Sequence, residues 1–319
     1  MTELRPAVIG IGATGTVLAA ALLDKMPGTT MVVPSPEKFQ KIKDEGLTVT
    51  GALNFKVPVK NLLSDLSELG GSGVNLIFIC TKAFGLNELL EKLAISLPVN
   101  ETLVVSCHNG LGTEEAVAEV FGRENAFRMS LNYGATARGA GNSEVAFINP
   151  PNPIGGLTGT SMEKAARIAA LLTDGGLATE AVGDIKLAVW KKMVMKCTMA
   201  SICAIADMTI REALDYPPTR EIADACFQEV MAVAKAQGYD LGENYLTQGI
   251  AYLSKVGIHK DSMCHDIEAG RPTEIDVLGA KVVEYAKEHS IPVPYYISMT
   301  NMVRAVEKRA IERASAPAI

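Results

Sequence analysis

The chain has 319 residues, of which 48% are hydrophobic and 21% are charged. This balance excludes a disordered or fibrous protein, and the length is typical of about two globular domains of roughly 150 residues each. Lys and Arg number 30 against 36 Asp and Glu, a net charge of -6. Because phosphate binding draws on an excess of basic surface, nucleic acid is not expected as the main partner.

The first half of the chain alternates short apolar runs with amphipathic windows. Strands are predicted at 7–11, 30–33, 75–80 and 102–107, helices at 14–25, 37–45, 86–95 and 113–121, and a β-like stretch at 47–59. Apolar runs without a polar face suit a parallel sheet that is covered on both faces. The rhythm therefore predicts an α/β fold with a Rossmann-type, doubly wound parallel sheet.

From about residue 184 the pattern changes to long helical periodicity. Helices are predicted at 185–205, 219–237, 243–256, 273–289 and 296–313, with breaks at the prolines of 217–218 and 292–294. We therefore expect two domains, a dinucleotide-binding Rossmann domain over 1–183 and an all-α substrate and catalytic domain over 184–319.

Neither the cysteines nor the apolar stretches indicate a secreted or membrane protein. The six cysteines have no CxxC or paired spacing, so we expect neither a disulfide framework nor a metal site. The first residues lack the basic region and cleavage site of a signal peptide. The most apolar later stretch, 193–208, contains Lys196 and is shorter than the ~20 residues that a membrane span needs. These features predict a soluble, reduced, cytoplasmic protein without a membrane partner.

A glycine-rich motif follows the first predicted strand and opens the first predicted helix. In this position Gly10 permits a tight turn, Gly12 lets the backbone approach a pyrophosphate, and Gly15 lets the helix pack closely on the strand. The amides at the helix N-terminus then face the anion. An ordinary glycine-rich turn is the alternative, but the flanking strand and helix favour dinucleotide binding. The predicted cofactor contacts are Gly10, Ile11, Gly12, Ala13, Thr14 and Gly15.

The residue that separates NAD from NADP is expected at the end of the second strand, and that position is Pro34. Proline offers neither a carboxylate for the ribose 2′-hydroxyl nor a guanidinium for a 2′-phosphate. Ser35 can hydrogen-bond either ligand and is included among the cofactor contacts. Lys38 offers charge to a 2′-phosphate, but the neighbouring Glu37 opposes it. These residues leave the choice between NADP and NAD open.

Further motifs follow in order: Thr81-Lys82, His108-Asn109-Gly110, Trp190-Lys191-Lys192, Ser262-Met263 with Asp266, and Thr273-Glu274-Ile275-Asp276 before Gly279. With this ordered set the chain resembles the ketopantoate reductase (2-dehydropantoate 2-reductase) family from Ala7 to about Pro294. The resemblance implies a Rossmann domain followed by a helical domain, with the active site in the cleft between them. It also implies reduction of a branched 2-oxo acid with NADPH, a step towards pantothenate. NADP is therefore the expected cofactor, and NAD is the alternative.

The resemblance implies roles for individual residues. Lys192 matches the catalytic lysine of the family, and Glu274 an acidic active-site residue that also contacts the cofactor. Asn109 matches an asparagine that contacts substrate and cofactor, Ser262 a substrate-contacting serine, and Lys82 a lysine near the cofactor. Chemistry supports a lysine independently, because hydride delivery to a 2-oxo acid leaves an alkoxide that needs a positively charged proton donor.

Several of these residues also have an ordinary structural interpretation. Lys192 can be a solvated helix lysine, as we expect for Lys191, which points about 100° away on the same helix. Glu274 can stabilise the first turn of the predicted helix 273–289. Asn109 can belong to a plain turn, although the carboxyl end of a strand is where doubly wound folds bind ligands.

Ser262 and His108 each have more than one interpretation. Ser262 can be a helix N-cap, in competition with Asp261. His108 replaces the glutamine that is more often found before Asn-Gly in the family. Because no nearby carboxylate in the sequence orients it as an acid, we expect a structural or ribose-contacting role.

The helix of Lys192 departs from the family pattern at two positions. Residues 192, 196 and 200 share one helix face, and the family usually has substrate-binding asparagines at the last two. This chain has Lys196 and Ala200 there, and both are predicted substrate contacts. Lys196 can bind a second substrate carboxylate, lower the pKa of Lys192, or extend into solvent. Ala200 leaves space for a bulkier or more apolar substrate group.

We therefore expect an NAD(P)H-dependent reductase that acts on 2-dehydropantoate or on another branched or dicarboxylic 2-oxo acid. One alternative is an opine-type dehydrogenase, which joins an amino acid to a 2-oxo acid. Another is a dinucleotide-binding sensor without activity, although a sensor has no need of the proton donor at Lys192. The expected partner is a small-molecule substrate, and the Met- and Ala-rich helices leave a homodimer open.

Overall fold

The computed structural model describes residues 3–315, which divide into two compact units. The first unit runs to His108 and resumes over Thr113–Ile185. The second unit contains Asn109–Gly112 and the chain from Lys186 onward. A four-residue segment thus belongs to the second unit although its neighbours in the chain on both sides belong to the first.

Strands and helices alternate in the first unit, whereas the second is built from helices. The strands are β1 (Pro6–Ile9), β2 (Thr30–Val32), β3 (Leu47–Gly51), β4 (Phe55–Val57), β5 (Asn61–Leu63), β6 (Leu76–Ile79), β7 (Leu103–Ser106), β8 (Ala126–Met129), β9 (Tyr133–Ala137), β10 (Asn142–Ile148), β11 (Asn152–Gly156) and β12 (Thr179–Ala181). The helices are α1 (Ala13–Lys25), α2 (Pro36–Glu45), α3 (Leu86–Ser96), α4 (Thr113–Phe121), α5 (Met162–Asp174), α6 (Ile185–Ala206), α7 (Ile210–Asp215), α8 (Pro217–Ala236), α9 (Tyr245–Val256), α10 (Ser262–Glu268), α11 (Gly279–Glu288) and α12 (Pro294–Ser315).

The main sheet of the first unit has eight strands in the order β12-β11-β8-β7-β6-β1-β2-β5. The six strands from β8 to β5 pair in parallel, and β11 runs antiparallel to β8. Counted along the chain, these six strands have the order 3-2-1-4-5-6 of a doubly wound dinucleotide-binding fold. The predicted Rossmann-type parallel sheet is confirmed.

Both faces of this sheet are covered, as the apolar strands require. Successive residues of a strand point to opposite faces, so Val8 belongs to a core cluster with residues of α1 and α5. Its neighbour Ala7 belongs to a second cluster with residues of α3 and α4. The loops at the strand ends are thereby held on a scaffold that is packed from both sides.

A second sheet of four strands has the order β4-β3-β10-β9. The sequence predicts only a β-like stretch at 47–59 in this sheet, because β9 and β10 contain Gly, Ser, Asn and Glu among their apolar residues. The hydroxyl of Tyr133 donates to the carbonyl oxygen of Thr14 at 3.0 Å, and Ser143 donates to that of Ala13 at 3.0 Å. The sheet thus fixes the first turn of α1.

Every regular element of the second unit within the described residues is a helix, which confirms the predicted helical C-terminal region. Pro217 and Pro294 begin α8 and α12 because proline suits the first helical position. The predicted helix 273–289 is shorter than expected, and α11 begins only at Gly279. Within residues 3–315, no helix is both long and apolar enough to cross a membrane.

Candidate active site

The glycine-rich loop lies between β1 and α1, and its three glycines have different surroundings. Gly10 has a φ of +92°, and a Cβ there would lie 2.5 Å from the backbone nitrogen of Thr81. A Cβ at Gly15 would collide with the carbonyl oxygen of Gly10. A Cβ at Gly12 would meet no atom within 4 Å. Packing therefore requires Gly10 and Gly15, while the backbone at Gly12 is open to a ligand.

The N-terminus of α1 presents backbone amides at this opening. Gly12 is the N-cap residue and forms no side-chain cap. Ile11, Ala13 and Thr14 are half-buried, and the second sheet holds the carbonyl groups of the last two. Because the first amides and the dipole of a helix favour an anion, the loop fits the pyrophosphate of a dinucleotide.

The segment after β2 contains the residues expected to contact the adenosine ribose. Ser35 is half-buried and is the N-cap of α2, where its Oγ accepts from the Lys38 amide at 3.5 Å. The hydroxyl hydrogen of Ser35 is not used in this bond and can be donated to a ligand. Pro34 and the Lys38 side chain are exposed. After β6, the half-buried Lys82 begins a short 3₁₀ turn.

His108 is buried at the carboxyl end of β7. Its Nδ1 lies 2.9 Å from Oγ of Ser106, and its Nε2 lies 3.4 Å from Oγ1 of Thr81. Burial, together with the nearby Arg128 guanidinium, lowers the pKa of His108 to about 3. The imidazole is therefore neutral near pH 7, so it is not an imidazolium that donates a proton to substrate.

Arg128 of β8 is a buried residue to which the sequence patterns assign no role. Its guanidinium donates to the carbonyl oxygen of His108 at 2.5 Å, to Oγ of Ser106 at 3.0 Å, and to Thr113. Burial raises the pKa of Glu114 to about 7, against the lowering effect of Arg128 at 4.0 Å. Arg128 thus holds the backbone directly before Asn109. A single arginine within an apolar strand is the sequence signal for such a residue.

Lys192 of α6 and Asn109 meet within the second unit. The Nζ of Lys192 donates to Oδ1 of Asn109 at 3.0 Å. Both residues are half-buried, whereas Lys191 is exposed, as the helical geometry predicts. Lys192 is therefore not an ordinary solvated lysine, because a fixed amide oxygen orients its ammonium.

Backbone contacts hold the segment that carries Asn109. The amide of Leu111 donates to the carbonyl oxygen of Val277 at 2.9 Å, and the amide of Gly110 contacts Sδ of Met193 at 3.1 Å. Gly110 has a φ of +107°, and a Cβ there would lie 2.6 Å from the Val277 oxygen. The segment is thus fixed between α6 and the turn that precedes α11.

Glu274 begins that turn, since its carbonyl oxygen accepts from the amides of Val277 and Leu278. The interpretation of Glu274 as a residue in the first turn of a helix is wrong, because the turn precedes Gly279. The side chain is half-buried, and its charge contributes to the raised pKa of Lys196. The turn therefore brings a carboxylate to the same part of the unit as Lys196.

Lys196 forms an ion pair with Asp261, a residue that the sequence predicts only as a helix cap. Its Nζ lies 2.5 Å from Oδ2 of Asp261 and 3.0 Å from Oγ of Ser262. Burial by itself lowers the pKa of Lys196, but Asp261 and Glu274 raise it overall. Lys196 in turn holds the pKa of Asp261 down against its burial. The interpretation of Lys196 as a lysine that extends into solvent is wrong.

The remaining predicted substrate contacts have different exposures. Asp261 is the N-cap of α10 and accepts from the Met263 amide at 2.9 Å, so Ser262 is not the cap. Ser262 is exposed and close to Lys196. Ala200 is fully buried, so it presents no accessible surface to a substrate here, and its contact stays a prediction. Within residues 3–315, no group of three or more His, Cys, Asp or Glu could hold a metal ion.

A Rossmann sheet with an open glycine loop, together with a helical unit that orients a lysine, defines a dinucleotide-dependent oxidoreductase. Two family models match the chain. The one described as ketopantoate reductase PanE/ApbA matches residues 7–159, and the one for the C terminal of that family matches residues 184–307. The chain belongs to the ketopantoate reductase family.

Individual proteins agree with this assignment. The 2-dehydropantoate 2-reductase of Halobacterium salinarum is 23% identical over 312 residues, covering 96% of this chain and 99% of that protein. The crystal structure of 2-dehydropantoate 2-reductase from Geobacter metallireducens has a TM-score of 0.86 at 24% identity and covers 95% and 99% of the two chains. A ternary structure of D-mandelate dehydrogenase with NADH and anilino(oxo)acetate has a TM-score of 0.84 at 23% identity and covers 96% and 99%.

Proposed function

We propose that this chain reduces a 2-oxo acid to the 2-hydroxy acid with a nicotinamide dinucleotide as the hydride donor. The observation that carries the proposal is the 3.0 Å hydrogen bond from Lys192 to Asn109, which orients a proton donor. The family and the relative named 2-dehydropantoate 2-reductase support the same reaction. The similar fold of a D-mandelate dehydrogenase bound to NADH supports the cofactor class.

A nicotinamide dinucleotide held at the glycine loop by the amides of α1 would supply the hydride for C2 of the substrate. Lys192 donates a hydrogen bond to the carbonyl oxygen and stabilises the negative charge that develops there. Its ammonium then transfers a proton to that oxygen, and the resulting amine regains a proton from solvent. Asn109 keeps Nζ in position by accepting one of its three N–H groups.

We propose NADP as the preferred cofactor and NAD as the alternative. The glycine loop supports a pyrophosphate but does not distinguish the two. The exposed Lys38 favours a 2′-phosphate against the opposing charge of Glu37, and Pro34 supplies no carboxylate that would repel one, while the N-cap hydroxyl of Ser35 suits either ligand. We expect Lys38→Met to lower the ratio of kcat/KM for NADPH to that for NADH and to leave NADH kinetics nearly unchanged.

The proposed substrate class contains 2-dehydropantoate and related branched 2-oxo acids. Ser262 and Asn109 are proposed substrate contacts, and Glu274 a residue that positions substrate or cofactor. The exposed Ser262 hydroxyl and the Asn109 amide are donors suited to a carboxylate or a carbonyl oxygen. Lys196 stands where the family pattern has a neutral amide. Binding at this position should therefore depend on the charge of the substrate.

A spectrophotometric panel of 2-oxo acids with NADPH and NADH tests the proposed function. Oxidation of either dinucleotide by a 2-oxo acid alone supports the proposal. Turnover only after an amino acid is added would support an opine-type dehydrogenase instead, and dinucleotide binding without turnover would support a sensor. Light scattering on the same preparation tests whether the chain forms a homodimer.

A further inference from the structure

The ion pair of Lys196 and Asp261 lies one helical turn after Lys192. Residues four apart share a face of α6, so the two lysines are neighbours. Asp261 accepts from Lys196 through Oδ2 at 2.5 Å and from the Met263 amide through Oδ1 at 2.9 Å. Only 18% of the Lys196 side chain and 7% of the Asp261 side chain are exposed. The pair is therefore a fixed part of the unit and not a mobile surface contact.

Carboxylates balance the two lysines of this face. Asp261 and Glu274 both raise the pKa of Lys196. Their two formal negative charges equal in number the formal positive charges of Lys192 and Lys196, so the formal charges of the four side chains sum to zero before a substrate is bound. The two lysines attract one substrate carboxylate, whereas Asp261 and Glu274 would repel a second carboxylate. Such repulsion is strong where side chains are shielded from water.

We propose that the Lys196–Asp261 pair determines specificity by admitting 2-oxo acids with one carboxylate and disfavouring 2-oxo diacids. The proposal rests on the proposed 2-oxo acid reduction and deepens it. An ammonium has three N–H donors, and Asp261 and Ser262 take two of them among the described residues. Lys196 thus keeps one donor for a substrate oxygen while Asp261 cancels its charge. The second substrate carboxylate that an unpaired Lys196 would predict is therefore not expected.

Two acids of equal chain length, 2-oxopentanoate and 2-oxoglutarate, test the proposal on the full chain. We expect kcat/KM to favour 2-oxopentanoate by about tenfold or more in the wild type, because the diacid meets an uncompensated repulsion. Asp261→Asn removes the ion-pair partner of Lys196 and leaves the four side chains with one excess positive charge, so it should lower this preference by about tenfold or more. The double variant Lys196→Met, Asp261→Asn removes both charges and should keep a preference close to that of the wild type. Lys191→Met removes an exposed lysine of the same helix and should leave the preference for 2-oxopentanoate unchanged.

Thermal unfolding and dinucleotide binding show whether Asp261→Asn folds. If it does not, Lys196→Met provides the test of opposite sign, since an uncompensated Asp261 should increase the preference for 2-oxopentanoate. Equal turnover of both acids by the wild type would overturn the proposal, as would an unchanged preference in Asp261→Asn. A wild type that reduces no 2-oxo acid of a wider panel would contradict the proposed function itself, which keeps the two failures distinct.

Discussion

The ammonium of Lys192 lies 3.0 Å from the amide oxygen of Asn109, a residue 83 positions earlier in the chain. Asn109 is fixed because the residue two positions later is hydrogen-bonded to the turn before α11. A lysine on a free helix face samples many rotamers, whereas the ammonium of Lys192 is held at the amide oxygen of Asn109. Orientation of this kind lowers the entropic cost of proton transfer.

Replacement of Lys192 by Ala is expected to lower kcat by on the order of 10²-fold or more, since a general acid is lost. Dinucleotide affinity should stay nearly the same, because the glycine loop is unaltered. Single-turnover rates and fluorescence titration with NADPH measure the two effects. Lys191→Ala is the matched control and should leave both unchanged. A Lys192→Ala rate equal to that of the wild type would refute the assignment.

Replacement of Asn109 by Ala removes the acceptor that orients Lys192. We expect kcat to fall by about tenfold or more, the usual size of a lost orienting contact at a general acid. Asn109→Asp keeps an acceptor oxygen and should retain more activity than Asn109→Ala. If KM rises while kcat does not change, Asn109 binds substrate without positioning the lysine.

Replacement of Gly110 by Ala places a Cβ against the Val277 carbonyl at a φ of +107°. We expect a loss of about 2 kcal/mol or more in the free energy of unfolding, from backbone strain and the collision. Gly28→Ala is the control, because a Cβ at Gly28 meets nothing within 4 Å. Urea denaturation of both variants provides the comparison, and equal stabilities would contradict the described packing of the Asn109 segment.

Replacement of Gly12 by Ala separates cofactor binding from folding. A Cβ there meets no atom within 4 Å, so the melting temperature should change little. It would occupy the space through which a pyrophosphate approaches the backbone, so we expect dinucleotide affinity to fall by about tenfold or more. Isothermal titration with NADPH and NADH measures this loss, and unaltered affinity would place the dinucleotide elsewhere.

The depressed pKa of His108 makes stability depend on pH. The imidazole has a pKa of about 3 when folded and 6.5 in the reference state, so between these values the unfolded chain binds one more proton. The contribution of His108 to the free energy of unfolding should therefore fall as the pH decreases from 6.5 towards 3, by up to about 1.4 kcal/mol per pH unit. The raised pKa of Glu114 acts in the opposite direction between pH 7 and 4.5, so the variants are compared with the wild type. His108→Gln should remove the His108 contribution to the slope, and His265→Gln, at an exposed histidine, should retain it. The same slope in both variants would rule out His108 as its origin.

Local patterns in the sequence predict the parallel sheet and its glycine loop, because buried strands and a positioned glycine motif depend on neighbours in the chain. Contacts between distant residues are not predictable in this way. Lys196 and Asp261 are 65 positions apart, and only the folded chain shows that one neutralises the other. Strands β9 and β10 are not predicted, because their polar residues interrupt the alternation of apolar and polar side chains that indicates a strand. Glu274 is predicted as an active-site residue, but its turn is mistaken for a helix since the apolar spacing continues across it.

The placement of Asn109–Gly112 in the helical unit has a consequence for synthesis and for dissection of the chain. A fragment that begins near residue 184 would lack the acceptor of Lys192 and the backbone partner of Val277. On the ribosome, this segment emerges well before the helices that bind it and stays without them until they are made. The two halves are therefore not interchangeable modules, and replacement of the C-terminal half alone would also require a matching loop after β7.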